Sequence, residues 1–191
     1  MLELTISSVK TAVANNIVFA FIPLIWWFIK YRKEAGFFKW IGLYKPQLKS
    51  KIWVLALFAV LYYFFYNFDF TKLVNPETLK EIENSSSVAA NGLAEEILYR
   101  GFLCKRFCEK LGTGKGIVLQ AILFGLMHNI IYIIAGLNVG LWYHTLTFIF
   151  TGTGALLLGY LNEKIFNGSI VPSILLHGTG NFIASMLVAF A

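Results

Sequence analysis

The longest uncharged stretch of the sequence constrains the fold more than any other feature. From Gly116 to Asn162 the chain contains no Asp, Glu, Lys or Arg. As a helix rising about 1.5 Å per residue, this stretch is far too long for one crossing of a bilayer core about 30 Å thick. Gly136 and Gly140 lie near its middle and favour a turn. We therefore expect two helices here, at about 116–135 and 141–160.

The composition indicates a membrane environment for the whole chain. Of its 191 residues, 58% are hydrophobic and 14% are charged, and the mean hydropathy is +0.68. A soluble domain carries roughly a quarter charged residues, so this chain has too few polar side chains to cover a surface in water. The basic residues lie in short clusters between apolar runs rather than along one stripe. We expect membrane lipid as a partner and no nucleic acid.

Further apolar runs complete the predicted architecture. They lie at residues 11–29, 52–68, 88–107 and 169–191. With the two helices above, they predict an all-α fold, a polytopic transmembrane bundle of about six helices. We find no repeat or linker that divides the sequence, so we expect a single transmembrane domain over residues 1–191. The residues that carry chemistry fall in a core at about 85–190.

The charges of the loops orient this bundle. Loop 30–51 has seven basic residues and one acidic residue, and loop 104–115 has four and one. Loop 69–87 has two basic residues against four acidic ones. The positive-inside rule then predicts loops 30–51, 104–115 and 161–168 in the cytoplasm and both termini outside. Since Lys outnumbers Arg and no eukaryotic retention signal is visible, we expect a multi-pass protein of a bacterial plasma membrane.

Polar side chains inside the apolar helices form three short motifs. They are Glu95-Glu96-Ile-Leu-Tyr-Arg100, Phe124-Gly-Leu-Met-His128 and His177-Gly-Thr-Gly-Asn181. Ionisable groups are expensive inside a membrane, so each motif is a functional candidate. On an α-helix Glu96 shares a face with Arg100, whereas Glu95 lies about 100° round from Glu96. We expect Arg100 to neutralise Glu96 and to leave Glu95 unpaired and directed at a cavity.

These groups suit two kinds of hydrolytic site. In one, Glu95 activates a water as general base, and His or Asn donors stabilise the oxyanion. In the other, Glu95, His128 and His177 hold a divalent metal such as zinc with an open position. Phe124 would wall a pocket beside His128 in either site. Peptide-bond hydrolysis is the natural reaction class for both, and a buried ion network that only fixes helix packing is the alternative.

Other proteolytic chemistries are excluded or less favoured. Asp69 is the only Asp, so the chain cannot form an aspartyl dyad. The H-E-x-x-H and G-x-S-x-G motifs are also absent from the sequence. Ser173 precedes His177 by one helical turn, but this pair is a weaker candidate than Glu95.

Some polar and small residues indicate packing rather than chemistry. Thr151, Ala155 and Gly159 form a series of small residues that favours close approach of a neighbouring helix. His144 belongs to no motif and is expected to pack at an outer membrane interface. The two cysteines, both in loop 104–115, are expected to be reduced thiols.

The three motifs, in this order on successive helices, resemble those of the CAAX-protease and bacteriocin-processing family. This family, abbreviated CPBP and also called Abi, comprises intramembrane endopeptidases related to the Rce1-type enzymes. The resemblance covers roughly residues 85–190. It implies that Glu95 is the water-activating base and that Glu96 and Arg100 support it.

The resemblance further implies that His128 and His177 complete the hydrolytic centre and that Asn181 helps to bind the oxyanion. Both a metal centre and a metal-free glutamate site fit it, so the cofactor is a divalent metal such as zinc, or none. The implied substrate is a membrane-associated peptide or protein, processed as a CAAX protein or as a bacteriocin. Two alternatives stay open: a bacteriocin self-immunity protein, with or without catalysis, and a small proton-relaying transporter.

Overall fold

The structure, a computed structural model, describes residues 17, 19–46, 92–134, 136 and 140–190, with side chains as far as residue 184. Every regular element in these ranges is a helix, which confirms the all-α prediction. The predicted span at 52–68 and the acidic loop at 69–87 lie outside the described residues. The arrangement of six spans therefore stays a prediction.

Six helical elements follow one another in the described ranges. Four of them are simple: α1 (Phe19–Lys30), α2 (Phe37–Trp40), α4 (Thr113–Ile134) and α6 (Val171–Phe190). Helix α3 covers residues 92–111 and is π-helical over Glu96–Cys104 before it returns to α-helix over Lys105–Leu111. Helix α5 runs from Leu141 to Tyr160 and continues as a π-helical turn, Leu161–Ile165.

The long uncharged stretch forms the two helices that its length requires. Helices α4 and α5 lie within a few residues of the predicted positions. Gly136 between them adopts a φ of +70°, a left-handed conformation that glycine accepts without strain. By length and composition, Thr113–Ile134 and Leu141–Ile165 are each able to span a membrane, and Phe19–Lys30 is a shorter apolar helix.

The loop predicted at 104–115 is wrong. Helix α3 continues as far as Leu111, and α4 begins at Thr113, so Gly112 alone connects them. The basic residues that end the apolar run do not end the helix, because charged side chains extend a helix beyond its apolar part as readily as they form a loop. Gly112 reverses the chain with a φ of +83°.

Helices α4 and α5 pack against each other through small residues. The buried Gln120 of α4 donates a hydrogen bond from Nε2 to the carbonyl oxygen of Ala155, at 2.9 Å. A Cβ atom placed on Gly159 would lie 3.0 Å from the same Nε2 atom. Ala155 is fully buried. The prediction that this face of α5 admits a close neighbour is therefore confirmed at Ala155 and Gly159.

Three segments predicted to share one membrane face meet in what we name the loop cluster. Its members are Gly42, Tyr44, Lys105, Glu163, Asn167, Gly168, Ser169 and Ile170. Lys105 Nζ lies at its centre, where it donates to Glu163 Oε1 at 3.0 Å and to the Gly168 carbonyl oxygen at 2.6 Å. These contacts bring the three segments together, and their placement on one membrane face stays a prediction.

Tyr44 attaches the first of these segments to the last. Its hydroxyl donates to the carbonyl oxygen of Asn167 at 2.7 Å, and its own carbonyl oxygen accepts from the Ser169 hydroxyl at 2.6 Å. Burial and the nearby Glu163 carboxylate raise the pKa of the Tyr44 hydroxyl. The hydroxyl therefore remains a donor across the physiological pH range.

Candidate active site

The first and third motifs come together where α3 crosses α6. A Cβ atom placed on Gly92 would lie 3.4 Å from the backbone of Gly178, so the two helices touch backbone to backbone. Small residues permit such a close crossing between membrane helices. Gly92 lies one turn before Glu96, and Gly178 directly follows His177. The crossing therefore sets Glu96 and His177 face to face.

His177 lies between the two adjacent glutamates. Its Nδ1 atom is 2.8 Å from Glu96 Oε1, and its Nε2 atom is 3.7 Å from Glu95 Oε2. Glu96 is paired as a carboxylate, so the Nδ1 atom of His177 carries a hydrogen and donates a hydrogen bond to it. The lone pair of His177 Nε2 then lies on the side of Glu95. The sequence analysis expected Glu95 to be unpaired, and the structure instead gives it this imidazole as a neighbour on another helix.

Helix α3 is π-helical from Glu96 to Cys104, directly after Glu95. Such stretches are frequent at functional sites. The spacing of the residues in the sequence does not signal this one.

Glu96 and Arg100 form the predicted ion pair. Arg100 Nη1 lies 3.0 Å from Glu96 Oε1, and the exposed fractions of the two side chains are 1% and 0%. The Arg100 guanidinium also lies over the ring of Phe124, 4.2 Å from its centroid. Glu96 therefore has two partners, the Arg100 charge and the His177 N–H, and it connects them.

Phe124 brings the second motif to this centre. Its ring lies 4.6 Å from that of His128 and 5.9 Å from that of His177, measured between centroids. His128 Nδ1 is 2.9 Å from the Phe124 carbonyl oxygen, and since a carbonyl only accepts, Nδ1 donates. In both histidines Nδ1 makes the hydrogen bond that holds the ring, which leaves Nε2 to bind other partners.

Glu95 and Asn181 are the remaining predicted site residues. Glu95 is 20% exposed, and its Oε2 atom has no hydrogen-bond partner among the described residues. Asn181 lies on the α6 face that meets α3, since its Nδ2 atom would be 3.6 Å from a Cβ on Gly92. Ser173, the weaker candidate, is buried, and its hydroxyl donates to the Ile170 carbonyl oxygen and accepts from Asn162 rather than donating to His177.

The side chains as they stand do not fit a metal centre. Among the described residues, no group of three or more His, Cys, Asp or Glu is arranged to hold a metal ion. The predicted ligand set was Glu95, His128 and His177. We therefore derive no step of the reaction through a metal.

The sequence analysis missed two residues of the site. Tyr99 is buried, and its ring meets Phe124 edge to face at 4.9 Å. It lies four residues after Glu95, the same spacing that predicted the Glu96–Arg100 pair. The sequence therefore contained enough to predict Tyr99 as a site residue. Gly92 was also missed, although a glycine one turn before an intramembrane Glu is a signal for a close helix crossing.

Comparison with known proteins assigns the family. The model of the Rce1-like type II CAAX prenyl endopeptidases matches residues 85–183, which is more than half of the chain and contains all three motifs. No curated protein and no solved structure matches the chain. The chain therefore belongs to the Rce1-like type II CAAX prenyl endopeptidases, a family of membrane proteases.

Proposed function

We propose that the chain is an intramembrane endopeptidase that hydrolyses a peptide bond with a water activated by Glu95. The observation that carries the proposal is the position of His177 between the two glutamates. Its Nδ1–H is held by Glu96 at 2.8 Å, and its Nε2 faces Glu95 at 3.7 Å. The two atoms are too far apart for a direct hydrogen bond, and a water lying beside them would contact both.

In the first step, the bridging water attacks the scissile carbonyl carbon. Glu95 takes one proton from the water, and His177 Nε2 orients it by accepting a hydrogen bond from its other O–H. Glu96 acts through His177, because it fixes the tautomer and the ring orientation, and Arg100 keeps Glu96 ionised. A tetrahedral intermediate with a negatively charged oxygen results.

In the second step, the intermediate collapses and the amine leaves. The Asn181 amide is the donor for the oxyanion, and such a donor contributes about 10²–10³-fold in rate. Glu95 returns its proton to the leaving nitrogen, so that acid and amine products form and the site is restored. His128, with a free Nε2, contacts the substrate from the side of α4.

We propose a membrane-associated peptide or protein as the substrate, either a CAAX-type protein or a peptide of the bacteriocin class. Glu95 precedes Lys105 of the loop cluster by ten residues on α3, so the two lie within about three helical turns of each other. The scissile bond would therefore enter from the face of the loop cluster. By loop charge this is the cytoplasmic face of a bacterial plasma membrane.

The test is a comparison of peptides in membranes that contain the native protein with those that contain Glu95→Gln. Shortened peptides that occur only with the native protein would identify the substrate and the cleavage position. Glu34→Gln, an exposed glutamate outside the three motifs and the loop cluster, is the matched control and should cut as the native protein does. If folded Glu95→Gln yields the same peptides, the proposal fails. If it also still protects cells against a bacteriocin, self-immunity without catalysis replaces it.

A further inference from the structure

An open cavity of about 470 Å³ lies beside the loop cluster, on the side of α2 and the end of α3. The residues that matter in its lining are Lys39, Trp40, Lys105, Arg106, Glu109 and Glu163. These residues lie beyond Cys104 on α3 or on other elements, and none belongs to the three motifs. The cavity is therefore separate from the candidate active site.

The lining holds several hydrogen-bond donors without partners. The indole Nε1 of Trp40 is buried and has no acceptor among the described residues, and the side chain is only 8% exposed. The Nε and Nη1 atoms of Arg106 are also buried without an acceptor in these ranges. Lys39 is exposed and makes no ion pair with a described residue. Unmet buried donors are costly, and these would gain partners only from a ligand that enters between Trp40 and Arg106 and is rich in acceptors.

The acidic side chains of the cavity are already engaged. Glu163 accepts from Lys105 at 3.0 Å, and Glu109 accepts from Arg106 Nη2 at 2.5 Å. The Arg106 guanidinium is fixed over the ring of Trp40, 4.3 Å from its centroid. With both carboxylates neutralised, the surplus charge of the lining is the positive charge of Lys39. The ligand is therefore an anion with several oxygens.

We propose that this cavity binds a phosphate group, with the headgroup of an anionic phospholipid as its source in the membrane. Arg and Lys are the side chains that bind phosphate in proteins, and a tryptophan N–H adds a neutral donor. The cavity adjoins the loop cluster and the aromatic pair Trp40 and Phe102, whose ring centroids are 5.8 Å apart. A headgroup there keeps its acyl chains along the apolar helices. Free inorganic phosphate has the same chemistry and is the other source.

The experiment uses the full chain purified in detergent, titrated with phosphatidylglycerol, with phosphatidylcholine or with inorganic phosphate. Native mass spectrometry counts bound lipids, and the affinity follows from the titration. Arg106→Gln removes the fixed donors and should weaken phosphatidylglycerol binding by about tenfold to hundredfold. Lys39→Gln changes an exposed residue that makes no ion pair with a described residue, so it tests the same site with little effect on folding. Lys110→Gln removes an equal charge on the same helix outside the lining and is the matched control.

General attraction of anionic lipid to a basic residue contributes about fivefold in affinity, and this is the most that Lys110→Gln should lose. One saturable phosphatidylglycerol per chain, weakened by Arg106→Gln and by Lys39→Gln beyond this limit, supports the proposal. Competition by inorganic phosphate at equal affinity assigns the site to the soluble ion instead of the lipid. If the three variants bind equally, or if an acidic peptide competes and phosphate does not, the proposal is overturned.

Discussion

Glu95 and Glu96 are adjacent in the sequence, but their carboxylates have different surroundings. Glu96 is fully buried between Arg100 and His177, so Glu96→Gln would leave the Arg100 charge unpaired at a cost of about 3–5 kcal/mol. Glu95→Gln keeps the shape of the side chain and breaks no hydrogen bond at Oε2. We expect a folded protein whose turnover falls by about 10²–10⁴-fold. Melting temperature and turnover per folded molecule, both in detergent, separate the two effects.

The exposed Glu34 offers the control for this comparison, and Glu34→Gln should change neither quantity appreciably. A Glu96→Gln protein that folds well but is inactive, beside an active Glu95→Gln protein, would reverse the assigned roles. Normal turnover in both folded variants would refute the glutamate mechanism altogether.

The two histidines give a second prediction at this scale. His128 Nδ1 and His177 Nδ1 are held by an oxygen each, and no described cluster of three ligands surrounds them. We therefore expect full activity of the purified protein in excess chelator. Loss of activity on chelation, with recovery on addition of zinc, would contradict this and would restore the predicted set of Glu95, His128 and His177.

Cys108 should be the more reactive of the two cysteines. The Cys104 thiol, 3.9 Å away, donates a hydrogen bond to Cys108 and lowers the pKa of Cys108. The rate of alkylation follows the thiolate, so it should reach half its maximum at a lower pH than an ordinary thiol does. Cys104→Ala removes the donor and should move this midpoint upward. Mass spectrometry of alkylated peptides measures it, and a midpoint that does not move would exclude the hydrogen bond.

At the scale of the helices, the sequence predicted α4, α5 and α6 well because an uncharged run is a direct signal of a long apolar helix. It failed at the end of α3, which was predicted near residue 107 and lies at Leu111. A charge ends an apolar run but does not end a helix, so composition cannot locate this boundary. The π-helical stretch at Glu96–Cys104 was not predictable either, because packing against other helices rather than local sequence determines it.

The candidate site was predictable to the same extent. The three motifs and the Glu96–Arg100 pair follow from spacing within one helix. The contact of His177 with Glu96 joins residues on different helices and depends on the Gly92–Gly178 crossing. Such a contact becomes visible only when the helices are placed in space.

The pairing of α4 with α5 can be tested with two glycines of one helix. Gly159→Ala would place a Cβ atom 3.0 Å from Gln120 Nε2 and 3.2 Å from Ile117 Cγ2, and such overpacking costs about 1–3 kcal/mol. Gly154→Ala meets no atom within 4 Å and should be neutral, or stabilising by up to about 1 kcal/mol. Thermal unfolding in detergent measures both. Equal effects of the two changes would show that Gly159 is not at a tight contact.

For the whole molecule, the testable statement is the orientation. Single cysteines at Lys45, Lys164, Glu83 and Leu141 would be introduced into a chain whose two native cysteines are replaced by serine. An impermeant thiol reagent applied to intact cells should label Glu83→Cys and Leu141→Cys only, since the loop charges place the other two inside. All four should react after permeabilisation. Labelling of Lys45→Cys in intact cells would invert the orientation.

The partners that meet in the loop cluster and the site are far apart along the chain. Lys105 reaches Glu163 and Gly168 across 58 and 63 residues, and His177 reaches Glu96 across 81. A contact between residues so far apart in the sequence contributes no stability until the second of them has been synthesised. During translation the glutamates thus enter the membrane long before their imidazole does. On the proposed mechanism, a nascent chain that stops short of α6 has no aligned base, and proteolysis would begin only when α6 has been delivered.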